Sequence, residues 1–236
     1  IFNLAADSHV DKSIIDSSYF IHNNVETVRH ILQLMDKRVT ISVDPPLFFH
    51  FSTDEVYGDL EVGSFDEKAP LNPSNPYSAS KAAADLLLSS WARTYDLNYV
   101  IVRPSNNFGE FQYHEKLIPL AVRRLQANKQ IKLHNRGKPV RTWTHVDDTI
   151  EAVMTIYNEG EKNRIYNISS EFEQTNLETT KKIINSFFMG KPNVQVPDVQ
   201  VHLDFSYERP GQDVRYAINC NPLKNLGWEP KKHFDT

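Results

Sequence analysis

Two kinds of hydrophobic pattern alternate along the first two-thirds of the chain. Short runs rich in apolar residues, typical of buried parallel strands, lie at residues 1–6, 47–52, 98–103 and 164–168. Between them, apolar residues recur near helical spacing in the stretches 19–36, 75–94, 117–127 and 146–157. This alternation predicts an α/β fold in which a parallel sheet is covered by helices on both faces.

The pattern changes beyond Ser170. Residues 177–188 predict one more helix, and the segment 190–212 then carries Pro192, Pro197 and Pro210 among short β-branched pieces. Proline is poorly tolerated inside helices and central strands. We therefore expect a smaller, looser C-terminal lobe that binds substrate.

The overall composition excludes several classes of function. A net charge of −4 and a pI near 6.1 provide no basic field for nucleic acid or an anionic membrane. No apolar stretch approaches the ~20 residues of a membrane span. The single cysteine, Cys220, excludes a disulfide framework and fits a reducing, cytoplasmic compartment, and the nine scattered histidines predict no metal site.

Glycine is scarce in this chain. No two of its eight glycines lie within three residues of each other, so a Gly-x-Gly-x-x-Gly dinucleotide motif is absent. The chain also begins on an apolar run, at Ile1, without an initiator methionine. Either the protein binds no dinucleotide, or the sequence is a fragment that begins inside the fold, and we favour the fragment.

Tyr77 and Lys81 lie four residues apart near the start of a predicted helix, so they share one helical face. A lysine ammonium beside a phenol favours the phenolate and lowers the phenol pKa toward that of a useful base. On its own the pair is a weak signal, because ten tyrosines and many lysines produce this spacing by chance.

The strand before that helix ends in Ser52 and Thr53, and Asp54 and Glu55 follow at once. Open parallel sheets bind ligands at the carboxyl ends of their strands. An acidic pair alone is usually a solvated turn. Here the two acids share a strand end with a hydroxyl, one βα unit before the Tyr/Lys helix, and this context favours acid–base chemistry.

Further polar candidates are weaker when taken singly. Asn106 and Asn107 follow the strand 98–103, and their amides can donate to phosphate or carboxamide oxygens, although Asn-Asn with glycine is also a plain turn. Arg141 and Arg209 can each bind phosphate through two hydrogen bonds, although a lone arginine is more often a surface residue.

Taken in order, these motifs resemble the extended short-chain dehydrogenase/reductase superfamily, and most closely its nucleotide-sugar 4,6-dehydratases of the dTDP-glucose 4,6-dehydratase type. The matching motifs lie at residues 5–11, 52–58, 77–81, 105–109, 115–119, 141–143, 166–168, 209–211 and 226–228. Such enzymes begin with a glycine-rich βα unit, so the resemblance implies that this unit is missing in front of Ile1.

The resemblance also implies a domain organisation, a cofactor and an assembly. A Rossmann-like NAD-binding domain would comprise residues 1–110 and about 140–170, and a nucleotide-sugar-binding lobe would comprise residues 111–139 and 171–236. The implied protein is a hydro-lyase of deoxysugar biosynthesis that uses NAD and acts on dTDP-glucose or UDP-glucose. It would form a homodimer with the help of the Tyr/Lys helix.

Five catalytic roles follow from the resemblance. Tyr77, assisted by Lys81, would deprotonate the C4 hydroxyl of the sugar while a hydride passes from C4 to NAD, and Thr53 would hydrogen-bond the same oxygen. Glu55 would then remove the C5 proton, and Asp54 would protonate the departing C6 hydroxyl. The hydride would return to C6, giving a 4-keto-6-deoxy sugar.

The resemblance assigns the remaining candidates to binding. Those implied for the cofactor are Ala5, Ala6, Asp7, Ser8, Asn23, Tyr77, Lys81 and Asn107. Those implied for the substrate are Ser8, Thr53, Asn106, Lys116, Leu117, Lys132, His134, Arg141, Asn176, Arg209 and Gln212.

Four positions depart from the type. His134 replaces a tyrosine beside the base, Lys132 a proline, Gln212 a histidine, and Asn23 a threonine on the cofactor side. Because three of the four lie at the nucleotide end, the choice between dTDP and UDP stays open.

Three alternatives to dehydration remain. UDP-glucuronate decarboxylases of the superfamily carry serine where this chain has Asp54, and its 4-epimerases usually lack both acids, so Asp54 favours dehydration. An alternative of another class is a non-catalytic protein that binds sugar nucleotides.

Overall fold

The computed structural model describes residues 1–40, 46–189 and 198–235 of the chain. Pro45, and the predicted irregular pieces around Pro192 and Pro197, lie outside the described residues.

The strands of the described residues form three sheets. In chain order they are β1 (Phe2–Asn3), β2 (Phe48–Phe51), β3 (Tyr99–Pro104), β4 (Asn106–Phe108), β5 (Ile131–Lys132), β6 (Val140–His145), β7 (Arg164–Ile168), β8 (Glu173–Thr175) and β9 (Leu203–Asp204). The main sheet has the order β1-β2-β3-β7, and all of its neighbours are parallel. The predicted parallel sheet is therefore confirmed.

Two smaller sheets complete the strand pairing in the described residues. β6 pairs with β4 in parallel and with β8 antiparallel, and β5 pairs with β9. The carboxyl ends of β1, β2 and β3 lie at one edge of the main sheet, because parallel strands end on the same side.

The helices cover both faces of the main sheet. In chain order they are α1 (Val10–Ile15), α2 (Ser17–Ile21), α3 (Thr27–Thr40), α4 (Pro76–Tyr95), α5 (Leu117–Gln126), α6 (Val146–Glu159), α7 (Asn176–Met189) and α8 (Asn221–Lys224). On one face, Leu32 of α3 and Leu88 of α4 pack against Phe48 and Ile101. On the other, Ile156 of α6 packs against strand residues that include Val100.

Two predicted elements differ from the structure. The strand expected over residues 1–6 is limited to Phe2–Asn3, because only Phe2 and Asn3 pair with β2, and the chain beyond them turns outward with Leu4 64% exposed. The single helix expected over residues 19–36 is instead α2, one π-helical turn (His22–Glu26) and α3. Such π-helical turns often occur at functional sites.

Helix α4 begins and ends at strong local signals. Asn75 and Ser78 form a reciprocal capping box, Pro76 occupies the first turn, and Asp96 ends the helix in the left-handed conformation with a φ of 52°. This start fixes where Tyr77 lies relative to the end of β2.

A separate apolar cluster holds the C-terminal region together. It joins Leu125 of α5, Ile131 of β5, Ile184 of α7 and Leu203 of β9. Along the described part of the chain, no helix is long and apolar enough to cross a membrane. The described residues also contain no group of three or more His, Cys, Asp or Glu placed to bind a metal.

Candidate active site

Two carboxylates follow directly after β2. Thr53 caps a 3-10 helix, Asp54–Tyr57, by accepting the amide of Glu55 on its hydroxyl at 3.3 Å. The helix ends at Gly58, whose φ of 83° favours glycine and where a Cβ would lie 2.2 Å from the carbonyl oxygen of Asn72. The tight turn keeps the Asp54 and Glu55 side chains at the sheet edge.

Asp54 is a buried acid with an unusual proton affinity. Its side chain is 3% exposed, Thr53 donates to its Oδ1 at 3.2 Å, and its Oδ2 has no partner within the described residues. Burial, and then the adjacent Glu55 charge, raise its pKa to about 7, against the opposing effect of Arg141. A carboxyl with this pKa is protonated in about half of the molecules at pH 7, so it can donate a proton at neutral pH.

Glu55 is half-buried and faces the pocket. Burial raises its pKa, while the Arg141 charge and a hydrogen bond with Asn75 oppose that rise. The Tyr216 hydroxyl donates to its Oε2 at 3.3 Å. Neighbouring acids in different surroundings can divide the roles of proton donor and proton acceptor.

Tyr77 and Lys81 are both buried on α4, but the expected effect of the lysine on the tyrosine is absent. Lys81 donates its ammonium to the carbonyl oxygen of Phe51 at 2.6 Å. The pKa of Tyr77 is raised, first by burial and then by the Glu55 charge, and Lys81 is not among its causes. The prediction of a lowered Tyr77 pKa is therefore wrong for this structure, because desolvation and the charges of three carboxylates, Glu55, Asp54 and Asp85, raise it.

A buried charged network lies beneath Lys81. Asp85, one turn further along α4, accepts from Ser52 at 2.9 Å and from Nε and Nη2 of Arg103 at 3.0 and 2.9 Å. Arg103 also donates to the Tyr57 hydroxyl at 2.8 Å. Burial lowers the pKa of Lys81 to about 8, and the Asp85 charge opposes that change.

The residues expected beside the cofactor form a second hydrogen-bonded group. Asp7 accepts from Asn23 at 2.5 Å, and its backbone exchanges hydrogen bonds of 2.8 and 3.0 Å with the side chain of buried Asn24. Asn24 also donates to Ser80 of α4 at 2.8 Å. The π-helical turn thus places Asn23 and Asn24 between the end of β1 and the Tyr77 helix.

A polar pocket opens beside this edge and collects most of the expected substrate residues. Its lining includes ten of them, namely Ser8, Asn106, Lys116, Leu117, Lys132, His134, Arg141, Asn176, Arg209 and Gln212. Glu55 and Asn107 also line it. The other expected residues, Thr53, Asp54, Tyr77, Lys81, Ala5, Ala6, Asp7 and Asn23, lie outside its lining.

Basic side chains lie in this pocket and donate hydrogen bonds to oxygen atoms of the chain. Lys116 donates to the carbonyl and hydroxyl oxygens of Ser8 at 2.8 and 2.9 Å. Arg209 donates to both carboxylate oxygens of Asp11, at 2.5 and 3.2 Å, and to Gln212 at 3.1 Å. His134 lies 3.7 Å from Asp11. The pocket therefore contains basic side chains that are already bound to oxygen atoms of the chain.

The residues present fit a dinucleotide at the sheet edge. The chain leaves β1 with Leu4, Ala5 and Ala6 exposed, so that edge is open. The buried Oδ1 of Asn106 lacks a partner within the described residues although this side chain lines the pocket. Asn107, in contrast, is satisfied by Ser105 and Thr149.

Sequence reasoning missed several residues of this site. Tyr216, Asn75 and Trp143 line the pocket, and Asp213 lies buried behind Tyr216. Asp11, seen only as part of a motif, pairs with Arg209 across 198 positions of sequence. No local pattern signals such contacts, because they depend on how distant segments fold together.

A match to the family described as GDP-mannose 4,6 dehydratase covers residues 1–236. The chain belongs to this family. The membership of the nucleotide-sugar 4,6-dehydratases that the motifs predict is thereby confirmed.

Individual relatives of the chain are consistent with this assignment. The chain is 40% identical over 235 residues to the low-salt glycan biosynthesis protein Agl12 of Haloferax volcanii, covering 100% of this chain and 71% of the relative. It is 37% identical over 250 residues to dTDP-glucose 4,6-dehydratase of Haemophilus influenzae, covering 100% of this chain and 72% of the relative.

Solved structures share the fold. DesIV, a dTDP-glucose 4,6-dehydratase from Streptomyces venezuelae crystallised with NAD, matches with a TM-score of 0.89 and 36% identity over 99% of this chain and 69% of its own. A UDP-glucose 4-epimerase from Thermotoga maritima matches with a TM-score of 0.82 at 23% identity, over 99% of this chain and 72% of its own, and shows the fold alone.

Proposed function

We propose that the protein is a nucleotide-sugar 4,6-dehydratase that converts dTDP-glucose or UDP-glucose to the 4-keto-6-deoxy sugar and water. One observation carries this proposal. Asp54 and Glu55 lie side by side at the end of β2, and Asp54 has a pKa of about 7. Elimination of water needs one acid and one base on the same substrate, and this pair supplies both.

The oxidation step uses Tyr77, Thr53 and Lys81. Tyr77 takes the proton of the C4 hydroxyl, and Thr53 hydrogen-bonds the same oxygen. Because burial raises the pKa of Tyr77, the phenolate needs a cation nearby, and Lys81, on the same helical face, would have to turn from the carbonyl oxygen of Phe51 to supply it. NAD, when bound, would supply the acceptor for the C4 hydride and the donor that returns this hydride to C6.

The elimination step uses the two carboxylates. With a ketone at C4 the C5 proton is acidic, and Glu55 removes it. The electron pair of that C–H bond forms a C5–C6 double bond as the C6 hydroxyl leaves. Asp54 gives its proton to that hydroxyl, so water departs and no free hydroxide forms. When the hydride returns to C6, the proton held by Glu55 goes back to C5, which completes the 4-keto-6-deoxy sugar and leaves Glu55 ionised.

The remaining pocket residues serve as binding groups in this proposal. Lys116, Arg141 and Arg209 supply positive charge for the diphosphate. His134 and Gln212, with Lys132 and Asn176, belong to the nucleoside end. On the cofactor side we place Ala5, Ala6, Asp7, Ser8, Asn23, Tyr77, Lys81 and Asn107.

The assembly, the location and the domain division belong to the same proposal. A homodimer through α3 and α4 is supported by the exposed apolar side chains Leu34 and Leu86 on these helices, which are 61% and 62% exposed. A cytoplasmic location fits the single buried Cys220. The NAD-binding domain would comprise residues 1–110 and about 140–170.

The test supplies the complete protein with dTDP-glucose and, separately, UDP-glucose. We expect a 4-keto-6-deoxy product, identified by mass spectrometry, from at least one of them. A C4 epimer would overturn the proposal, as would binding without turnover, and UDP-glucuronate giving a pentose would indicate decarboxylation instead.

Asp54→Asn serves as the control for the assigned roles. It should slow elimination by about 100-fold or more while oxidation at C4 continues, so that reduced NAD accumulates. Loss of both steps in a folded variant would show that the role of Asp54 is wrong.

A further inference from the structure

Behind Glu55 lies a buried carboxylate that the proposed chemistry does not use. Asp213 is 4% exposed and accepts hydrogen bonds on its Oδ2 from the hydroxyls of Ser74 and Tyr216. Its backbone carbonyl accepts from Nη2 of Arg141 at 3.2 Å. A buried carboxylate with this many partners is costly to desolvate, so it calls for a reason beyond packing.

The Tyr216 hydroxyl joins this carboxylate to the proposed base. It lies in hydrogen-bond contact with Asp213, and it also reaches Oε2 of Glu55 at 3.3 Å. The Tyr216 ring is only 4% exposed, and the Arg141 guanidinium lies 4.3 Å from its centre. The phenol oxygen is therefore held in place between the two acids.

A phenol has a single proton to donate, so the two carboxylates compete for it. The hydrogen bond from Tyr216 to Asp213 is the shorter one, and the hydrogen bond to Glu55 is longer and weaker. A full hydrogen bond from Tyr216 would make Glu55 a poorer base, whereas without it the Glu55 carboxylate would keep the Asn75 contact but lose a second point of attachment. The shared arrangement orients Glu55 at a small cost in basicity.

From this geometry we infer that Tyr216 is a positioning residue for Glu55. Asp213 holds Tyr216 in place and, by competing for its proton, weakens the hydrogen bond from Tyr216 to Glu55. The inference rests on the proposed function, in which Glu55 removes the C5 proton.

Other charges also act on Glu55 and must be considered in any pH effect. Arg141 and Lys116 favour its ionised form, and Asp213 disfavours it. Among the described residues, the titratable or charged groups that interact with Glu55 are Asp54, Tyr77, Lys116, Arg141, Asp213 and Tyr216.

Two variants should therefore shift the pH profile in opposite directions. Tyr216→Phe removes a donor to the Glu55 carboxylate, so the Glu55 pKa rises. Asp213→Asn removes a nearby negative charge and releases the Tyr216 proton to Glu55, so the Glu55 pKa falls. The base must be ionised to act, and this pKa governs the acidic limb of kcat.

The experiment measures kcat and KM against pH for the complete, NAD-loaded protein with the sugar nucleotide that it turns over. We expect the acidic limb to move up by about half a unit to one unit in Tyr216→Phe and down by a similar amount in Asp213→Asn. In Tyr216→Phe, kcat should fall about 10-fold to 100-fold with little change in KM, and reduced NAD should accumulate because only elimination is slowed.

Tyr166→Phe is the matched control. Tyr166 is 1% exposed and does not line the pocket, and its hydroxyl accepts from the Glu161 amide, so this variant also loses a buried hydroxyl. Its acidic limb should match that of the wild type. Thermal melting of each variant identifies any variant that has failed to fold. If Tyr216→Phe fails to fold, the inference is tested by the shift of the acidic limb in Asp213→Asn.

The inference is overturned if both variants shift the limb in the same direction, or if neither differs from Tyr166→Phe. That outcome is distinct from failure of the proposed function, because the latter would appear as a wild-type protein that makes no 4-keto product.

Discussion

At the residue scale, the division of labour between Asp54 and Glu55 depends on their surroundings. Both are carboxyls, and burial raises the pKa of both. Asp54 has one oxygen without a partner in the described structure, whereas Glu55 has Asn75 and Tyr216 beside it. The neutral form therefore suits Asp54, and the ionised form is better supported on Glu55.

The raised pKa of Asp54 should make folding stability depend on pH. A carboxyl whose pKa rises from 3.8 to about 7 on folding favours the native state at low pH, and this contribution disappears as the pH rises through 7. Asp54→Asn cannot titrate. Relative to the wild type, its free energy of unfolding should therefore increase by about 2–3 kcal/mol between pH 5 and pH 8.

Urea unfolding of both proteins at the two pH values measures this difference. Asp66→Asn, at an exposed site, is the control, and the difference between its free energy of unfolding and that of the wild type should be nearly the same at both pH values. A pH-independent offset for Asp54→Asn would contradict the raised pKa.

At the element scale, α4 presents three functional side chains on successive turns. Tyr77, Lys81 and Asp85 recur every four residues, and Asp85 is joined to Arg103 of β3 and to Ser52 after β2. The helix is thereby tied to the sheet by charge as well as by apolar packing. Lys81 is held over this network through the carbonyl oxygen of Phe51.

Removing one member of the Asp85–Arg103 ion pair should lower the stability of the protein. Asp85→Asn leaves the Arg103 charge buried without its counter-ion, which typically costs about 3–5 kcal/mol of stability. It also removes the charge that opposes the fall in the Lys81 pKa, so that pKa should drop further below about 8. Urea unfolding measures the first effect.

Asp96→Asn, at the exposed end of the same helix, is the control and should be close to neutral, since asparagine tolerates the left-handed conformation there. The double variant Asp85→Asn/Arg103→Met should lose less stability than the sum of its single changes. Strict additivity would show that the pair is not coupled.

Sequence reasoning works best for elements with strong local signals. The helix from Pro76 was predicted from its proline and asparagine start, and β7 matches its predicted limits of 164–168. The sequence does not predict the π-helical turn. This turn is accompanied by contacts of Asn24 with Asp7 and Ser80, which join segments far apart in sequence. Helical periodicity alone does not reveal such a turn.

At the scale of the whole molecule, the pocket is assembled from distant parts of the chain. Tyr216 meets Glu55 across 161 positions, and Lys116 meets Ser8 across 108. The resemblance to known dehydratases could name most pocket residues in advance, because a family motif carries contacts that composition does not. The roles of these residues and the domain limits stay predictions.

The two arginines of the C-terminal segment should separate binding from stability. Arg209 lines the pocket, whereas Arg215 pairs with Glu173 at 2.7 Å outside it. Arg209→Met should raise KM for the sugar nucleotide about 10-fold to 100-fold with a smaller change in kcat, because a diphosphate contact is lost. Arg215→Met should leave KM nearly unchanged.

Steady-state kinetics with thermal melting of both variants checks this expectation. Equal KM values for the two variants would mean that Arg209 stays paired with Asp11 and does not contact the substrate.

The turn at Gly58 has a consequence for mutational tolerance. Because a Cβ there would collide with the backbone at Asn72, even alanine would force two loops apart and move both carboxylates. The position has no side chain and takes no part in the chemistry, yet it restricts which sequences can maintain the reaction. Laboratory evolution of this protein toward new sugars would have to vary the pocket walls while leaving this site unchanged.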